Sequence, residues 1–440
     1  MPMKQAVIIV AGRDPMLMVG GSDTYARALG YAALRAGYEP HFFCVGTATR
    51  IEEMPFGTIH CVRSPFRPIR GVMIAFHQPY VVGAVKRFVQ ERGFAPGTRC
   101  LIHSLGGWSA AAVAAARQLA RHGLECRIAA TMWTTCIHEL GGKLRGIGKL
   151  HGTWTNLKLR LETLWTRLTV APGERRALRA CDLVLVNYES VRRIVEAEYG
   201  PGLPFRKAAY ASEMAFVRDA REPVPKSAFV EALEPAGAPL IVSVSRHDPR
   251  KGLDVLLRAL ALLRDAGVPF RACLAGGGAL LEQHRRFAAE FGLSDCTVIP
   301  GRVPDAYDCL RHADVFVLPS IEEGSGSVSL LEAMQAGVAP VVSRVDGLPE
   351  DVTDGESALM PEPGDAAGLA HALRRLVEDP SLRARLAQRA QAIYRERFSA
   401  QAFSEDIRAA YEALGFPPSR QAEHRAVCAA GDAAASTRAS

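Results

Sequence analysis

Arg246 and Lys251 stand five positions apart in Arg246-His247-Asp248-Pro249-Arg250-Lys251-Gly252, directly after the apolar run Leu240–Ser245. Two cations across a proline-containing turn at a strand end can aim at one spot, and a diphosphate suits such a pair. An ordinary solvated surface pair is the competing reading. Further on, Leu318-Pro319-Ser320-Ile321-Glu322-Glu323-Gly324-Ser325-Gly326-Ser327-Val328 carries a strand through a Gly/Ser loop into a helix. Unbonded N–H groups at a helix start bind anions, and glycine lets a ligand reach the backbone. Ser325 or Ser327 could instead cap that helix. Glu332, in its first turns, can accept two hydrogen bonds from vicinal hydroxyls such as those of a ribose, or can simply favour the positive helix end.

These segments need a scaffold, and the chain alternates strand and helix patterns almost throughout. In the first half, short buried strands are expected at Gln5–Ala11, Pro40–Val45, Cys100–Ser104, Arg127–Thr131 and Leu183–Asn187, with helical patterns after them. Continuous apolar strands followed by helices predict parallel sheets covered on both faces. Pro223, Pro225, Pro235 and Pro239 mark a linker, after which the alternation restarts at Leu240. The expected organisation is a domain over 1–216, a linker over 217–238, a second domain over 239–395 and a helix over 396–416 that packs back on the first domain. The Ala/Ser/Arg-rich 417–440 reads as a disordered tail.

The 440 residues exceed one ordinary domain, since about 150 residues per domain gives two to three. With 48% hydrophobic and 22% charged residues, the bulk of the chain can build cores. Residues 1–200 hold 26 basic and 14 acidic side chains, against 27 and 32 over 201–440. The basic half suits an anionic partner such as lipid, phosphorylated substrate or nucleic acid, or is an ordinary solvated surface. Within it, Lys143, Arg145, Lys149, Lys158, Arg160, Arg167, Arg175, Arg176 and Arg179 interleave with Trp154, Leu157, Leu159, Leu161, Leu164 and Trp165. An amphipathic helix of this kind lies on an anionic membrane or packs its apolar face on its own domain. No run approaches the roughly 20 apolar residues of a membrane span. Ala6–Gly12 reads as a buried strand rather than a signal peptide. Ten scattered cysteines with no CxxC pair read as small core residues in a reducing cytoplasm. No His/Cys cluster has metal spacing. GxxxxGK[ST] and GxSxG are missing, and Leu281 stands where a GxGxxG would have its third glycine.

Five spaced blocks occur in order: Arg246…Lys251-Gly252, Ala275-Gly276-Gly277-Gly278, Pro319-Ser320-Ile321-Glu322-Glu323-Gly324, Leu331-Glu332-Ala333-Met334-Gln335-Ala336-Gly337-Val338-Ala339-Pro340, and Asp354-Gly355. Together they resemble the retaining family-4 glycosyltransferases, and the resemblance spans about 238–400. It is diffuse over 1–215, where Gly20-Gly21-Ser22 and Ala180-Cys181-Asp182-Leu183-Val184 match less specific features. The resemblance implies the α/β GT-B fold, two Rossmann-like α/β/α domains whose parallel sheets face each other across a cleft.

It also implies roles for single residues. Arg246 and Lys251 match the pair that neutralises the nucleotide diphosphate, and Glu332 matches the glutamate on the ribose hydroxyls. Glu322 or Glu323 matches the acid near the donor sugar; eight residues separate Glu323 from Glu332, and nine separate Glu322 from it, where the family usually has seven. The backbone of Gly324, Ser325, Gly326, Ser327 and Val328 would sit under the phosphates. Gly301 and Arg302 lie where the family holds the base, and Gly276 and Gly21 belong to the same donor-binding set. The family's N-terminal histidine finds candidates in His138 and His103. The implied activity is metal-independent transfer of a sugar, with retention, from a nucleotide-diphosphate donor to a hydroxyl of a glycan or lipid-linked acceptor. No cofactor, metal or nucleic acid is expected, and the expected location is cytoplasmic, with peripheral contact at the inner membrane face. A nucleotide-sugar epimerase and a non-catalytic sugar-nucleotide-binding module are the alternatives. The missing Asp-x-Asp weighs against the metal-dependent GT-A route.

Overall fold

The computed structural model describes residues 5–17, 20–66, 74–147, 153–218, 237–303 and 306–418. The linker residues 219–236 and the tail 419–440 named above lie outside the described residues. The rest groups into two compact units, one within Met1–Gly141, Leu157–Phe216 and Ala400–Ser440, the other within Gly142–Asn156 and Val217–Ser399.

The first unit is built on eight strands: β1 Gln5–Arg13, β2 Tyr38–Gly46, β3 Arg50–Met54, β4 Gly57–Arg63, β5 Arg99–Leu105, β6 Glu125–Met132, β7 Leu183–Val186 and β8 Phe205–Lys207. Their order is β3-β4-β2-β1-β5-β6-β7-β8. Every pair is parallel except β3 with β4, an antiparallel hairpin in which Ile51 pairs with His60. Five of these strands are legible as apolar runs; β3, β4 and β8 are not, because β3 is an edge strand of mostly exposed charged residues and β8 has three residues. The central strands bury Ile9, Val10, Phe43, Leu101 and Val184 almost completely. Helix Ala400–Ala413, from the far end of the chain, belongs to this unit. Asp406 accepts from Ala209 N at 2.7 Å, Arg206 donates to Ala409 O at 3.0 Å, and Tyr38 donates to Phe416 O at 2.6 Å.

The second unit has five parallel strands: β9 Leu240–Val244, β10 Arg271–Ala275, β11 Thr297–Gly301, β12 Val315–Leu318 and β13 Ala339–Val342, in the order β11-β10-β9-β12-β13. These strands are almost continuously apolar because helices cover both faces. Helix Leu253–Asp265 packs Leu256, Leu257 and Leu260 against Ile241, Leu274 and Val315, and helix Ala366–Glu378 adds Leu373 and Leu376. Aspartates start the later helices: Asp365 accepts from Gly368 N and Asp379 from Leu382 N, each at 2.9 Å.

Candidate functional site

In the second unit the chain runs outward from β9 to β10 to β11, then returns to the other side of β9 for β12 and β13. The order therefore reverses between β9 and β12. Loops leaving the carboxyl ends of two such strands part in opposite directions and open a crevice, which is where open α/β sheets bind ligands. The two loops here are 245–252 and 319–327, the same stretches that carry the candidate chemistry.

Backbone contacts hold the loops together. Ile321 N and Glu322 N both donate to Arg250 O, at 2.8 and 3.2 Å. Gly252 makes the approach possible: its φ is +62°, and a Cβ there would lie 2.1 Å from Pro319 O. On the other side of β9, Gly276 lets the loop after β10 close in, since a Cβ would sit 1.8 Å from Ser245 O. His247 N donates to Gly277 O and Leu280 N donates to His247 O, both at 3.0 Å.

Across the crevice Lys251 Nζ meets Glu323 Oε2 at 2.5 Å, with side chains 15% and 4% exposed. Ser320 Oγ donates to the other oxygen, Glu323 Oε1, at 2.5 Å. A partly buried carboxylate needs such partners, because desolvation without them is costly. Asp346, which follows β13, completes the arrangement. Its Oδ2 accepts from Glu323 N at 2.6 Å and Gly324 N at 2.7 Å. Asp346 has φ +48° and is the non-glycine residue with positive φ among the described residues. Aspartate tolerates that conformation better than most residues. Two successive N–H groups at the start of the Gly/Ser loop thus hold the Asp346 carboxylate oxygen.

The remaining candidates of the second unit are distributed along the same carboxyl edge. Arg246 follows β9 and is exposed. Glu322 is half-buried, and the Lys251 ammonium goes to Glu323 rather than to it. Gly324, Gly326 and Ser327 are buried, and Ser325 and Val328 half-buried. Ser327 sits at the N-cap position of helix Val328–Ala336, yet its hydroxyl pairs with Ser329 Oγ at 3.0 Å rather than capping a backbone N–H. Glu332, on that helix, is 8% exposed. Gly301 closes β11 and accepts from Gly276 N at 2.8 Å, and Arg302 next to it is exposed.

In the first unit Gly21 opens helix Gly21–Arg35, and a Cβ on the preceding Gly20 would meet nothing within 4 Å. His138 lies in the first turn of helix Cys136–Ile147; its N–H donates to Thr135 Oγ1 at 3.1 Å, and the Thr135 hydroxyl bonds Glu198. His103 requires a correction as a site candidate. It is fully buried in β5, with Nδ1 2.8 Å from the Tyr411 hydroxyl and Nε2 2.8 Å from Thr131 Oγ1. Burial lowers its pKa to about 3. Both ring nitrogens are spent on the core, so it is a structural histidine.

Sequence reasoning missed Asp346 and the part played by Ser320. Ser320 lay inside a recognised block without a role. Asp346 had one local signal, the Asp346-Gly347 pair before helix Leu348–Asp351. Nothing in the sequence ties it to a loop 22 residues earlier. Among the described residues no group of three His, Cys, Asp or Glu side chains is placed to hold a metal.

Residues 226–393 match the model of the glycosyl transferases group 1. The matched region is a little over a third of the chain and is what resembles the glycosyl transferases group 1. The lipopolysaccharide core biosynthesis glycosyltransferase LpsD of Rhizobium meliloti is 34% identical over 206 residues, 45% of this chain and 59% of the relative. The chain spans about half to three-fifths of the length of the first curated relatives that it matches. Among solved structures, the sucrose-phosphate synthase of Thermosynechococcus elongatus superposes with a TM-score of 0.68 at 22% identity, covering 93% of this chain and 99% of that one. Anabaena HepE in complex with UDP-glucose gives 0.64 at 16%, covering 93% and 100%. At these identities the likeness establishes the fold, which is GT-B. The group 1 region contains all of the crevice described above.

Proposed function

We propose that the chain is a glycosyltransferase that moves a sugar from a nucleotide-diphosphate donor to an acceptor hydroxyl, with retention at the anomeric carbon. The observation that carries this reading is the Lys251–Glu323 pair spanning the β9/β12 switch point, beside a loop start that already binds a carboxylate oxygen. As the bond from the anomeric carbon to the diphosphate breaks, its electron pair goes to the departing phosphate oxygen. Lys251, Arg246 and the N–H groups of the Gly/Ser loop beyond Gly324 meet that charge. The acceptor oxygen takes the anomeric carbon, and its proton leaves to the departing diphosphate or to solvent. Cationic side chains and backbone dipoles do here what a metal does elsewhere, so the reaction needs none. Glu323 has its oxygens engaged by Lys251 and Ser320, which makes it a poor nucleophile and favours attack from the face of the leaving group. Glu332 binds the ribose hydroxyls, and the base lies by Gly301 and Arg302.

The matched relative named for lipopolysaccharide core biosynthesis supports an acceptor among cell-surface glycans or glycolipids. Incubation with nucleotide sugars and acceptor glycans, followed by NMR of the anomeric proton, tests the reading. Release of nucleoside diphosphate with an unchanged anomeric configuration supports it. Inversion overturns the retaining assignment, isomerised donor in the absence of acceptor indicates an epimerase, and binding without turnover indicates a non-catalytic module.

A further inference from the structure

In the first unit the stretch Leu157–Leu168 turns apolar side chains outward and threonines inward. Helix Thr153–Trp165 continues through the π-helical turn Thr166–Val170 into helix Ala171–Arg179, so the later part of the basic stretch singled out in the sequence, from Thr153 on, is three successive helical pieces. Lys143, Arg145, Lys149, Trp154 and Leu159 lie outside the described side chains. The buried face carries Thr163 and Thr166 over Leu157–Leu168, and Ala171, Glu174, Ala177 and Leu178 in the helix that follows. Leu157, Leu161, Leu164, Trp165 and Leu168 point outward, between 47% and 69% exposed. Their spacing of four, seven, eight and eleven residues places them along one side of the helix. The expectation that this helix packs its apolar face on its own domain is therefore reversed for these residues. A continuous exposed stripe of leucines and a tryptophan marks a surface meant to be covered.

The charges beside the stripe identify what covers it. Lys158, Arg160, Arg167, Arg175, Arg176 and Arg179 are all exposed, while the acids of the segment are Glu162, half-buried, and Glu174, buried against the Tyr199 hydroxyl. We propose that Leu157–Arg179 docks the chain on an anionic lipid bilayer, the leucines and Trp165 entering the headgroup boundary and the basic side chains meeting lipid phosphates. An interfacial helix has this construction, apolar on one side with Lys and Arg at the edges. A second copy is a worse fit. Two-fold pairing of one surface with itself sets its six cations against their own counterparts with almost no exposed acid to offset them. A nucleic acid would engage the cations and leave the stripe uncovered.

This inference goes beyond the sugar-transfer reading, and its test needs no turnover. The full chain is sedimented with vesicles of phosphatidylcholine alone and of equal parts phosphatidylcholine and phosphatidylglycerol, and Trp165 emission is followed with Trp165→Phe as the control. A Leu161→Gln/Leu164→Gln/Leu168→Gln variant is compared after its melting temperature shows that it is folded. A separate Lys158→Gln/Arg160→Gln/Arg167→Gln variant tests the charges with the stripe intact. The proposal predicts binding to the anionic vesicles with a blue shift that Trp165→Phe abolishes. It also predicts binding roughly tenfold or more weaker for each variant and in high salt. Failure of the wild-type chain to bind, equal binding by wild type and variants, or a lipid-free dimer that only the leucine variant loses would overturn it.

Discussion

Lys251 Nζ and Glu323 Oε2, 72 positions apart in sequence, meet at 2.5 Å across the point where the second sheet reverses its strand order. The pair ties the loop after β9 to the loop after β12 and fixes a cation at the mouth of the crevice. Replacing Lys251 by Ala removes the charge proposed to meet the leaving diphosphate, and turnover is expected to fall by about 100-fold or more. The chain stays folded, with its melting temperature lowered by several degrees because Glu323 loses its partner in a partly buried place. Steady-state kinetics beside a thermal melt separates the two effects. Unchanged turnover removes Lys251 from the active site.

Gly252 allows that meeting. Gly252→Ala places a methyl 2.1 Å from Pro319 O at a positive φ, whereas Gly267→Ala, at the other end of the same helix, has φ +70° with nothing within 4 Å. The Gly267 variant carries only the conformational cost of about 1 kcal/mol. The Gly252 variant adds a backbone collision and is expected to lose about 2–4 kcal/mol in denaturant unfolding, together with activity. Equal losses in the two variants would mean that the loops can part freely.

Asp346 acts on Glu323 through the backbone. Asp346→Ala frees the N–H groups of Glu323 and Gly324 and puts a residue less suited to φ +48° in its place. We expect kcat to fall about tenfold as Glu323 and Lys251 lose their fixed positions. Asp346→Asn keeps an acceptor oxygen and tolerates the backbone, so it is expected to recover most of that loss. If Asn is as impaired as Ala, the charge itself matters at this position.

The second unit was legible because its strands are buried on both faces and read as unbroken apolar runs, and because Arg246, Lys251, Gly276 and Glu323 follow strand ends while Glu332 lies on the helix that the Gly/Ser loop enters. What the sequence could not show was pairing across long separations. Nothing local distinguishes Glu323 from Glu322; the backbone bonds of Ile321 and Glu322 to Arg250 O fix the loop so that Glu323 reaches Lys251. His103 looked like a site histidine because it lies near a strand end, but its partner Tyr411 is 308 positions away. The hairpin of β3 and β4 escaped because its outer strand carries Arg50, Glu52 and Glu53 in place of an apolar run.

His103 gives the first unit a pH dependence with a definite sign. The folded chain keeps it neutral, with a pKa of about 3 against an ordinary 6.5. Between those values the unfolded chain takes up a proton that the folded chain refuses. The contribution is therefore intact above about pH 6.5 and is lost progressively as the pH falls toward 3, amounting to a few kcal/mol at the acid end. Melting temperature against pH should fall less steeply below 6.5 in a His103→Gln variant. Turnover per folded molecule near neutral pH should be retained; its loss from a well-folded variant would return His103 to the site.

Lys251 is proposed to hold a nucleoside diphosphate in the crevice between the loops after β9 and β12. The most direct measurement is the thermal shift of the wild-type chain and of Lys251→Ala over a panel of nucleoside diphosphates and their sugars, since a ligand that binds only the folded form raises its melting temperature. At least one of them is expected to raise the melting temperature of the wild type and to leave that of the variant nearly unmoved. A panel with no effect on the wild type, or with equal effect on both, would contradict it.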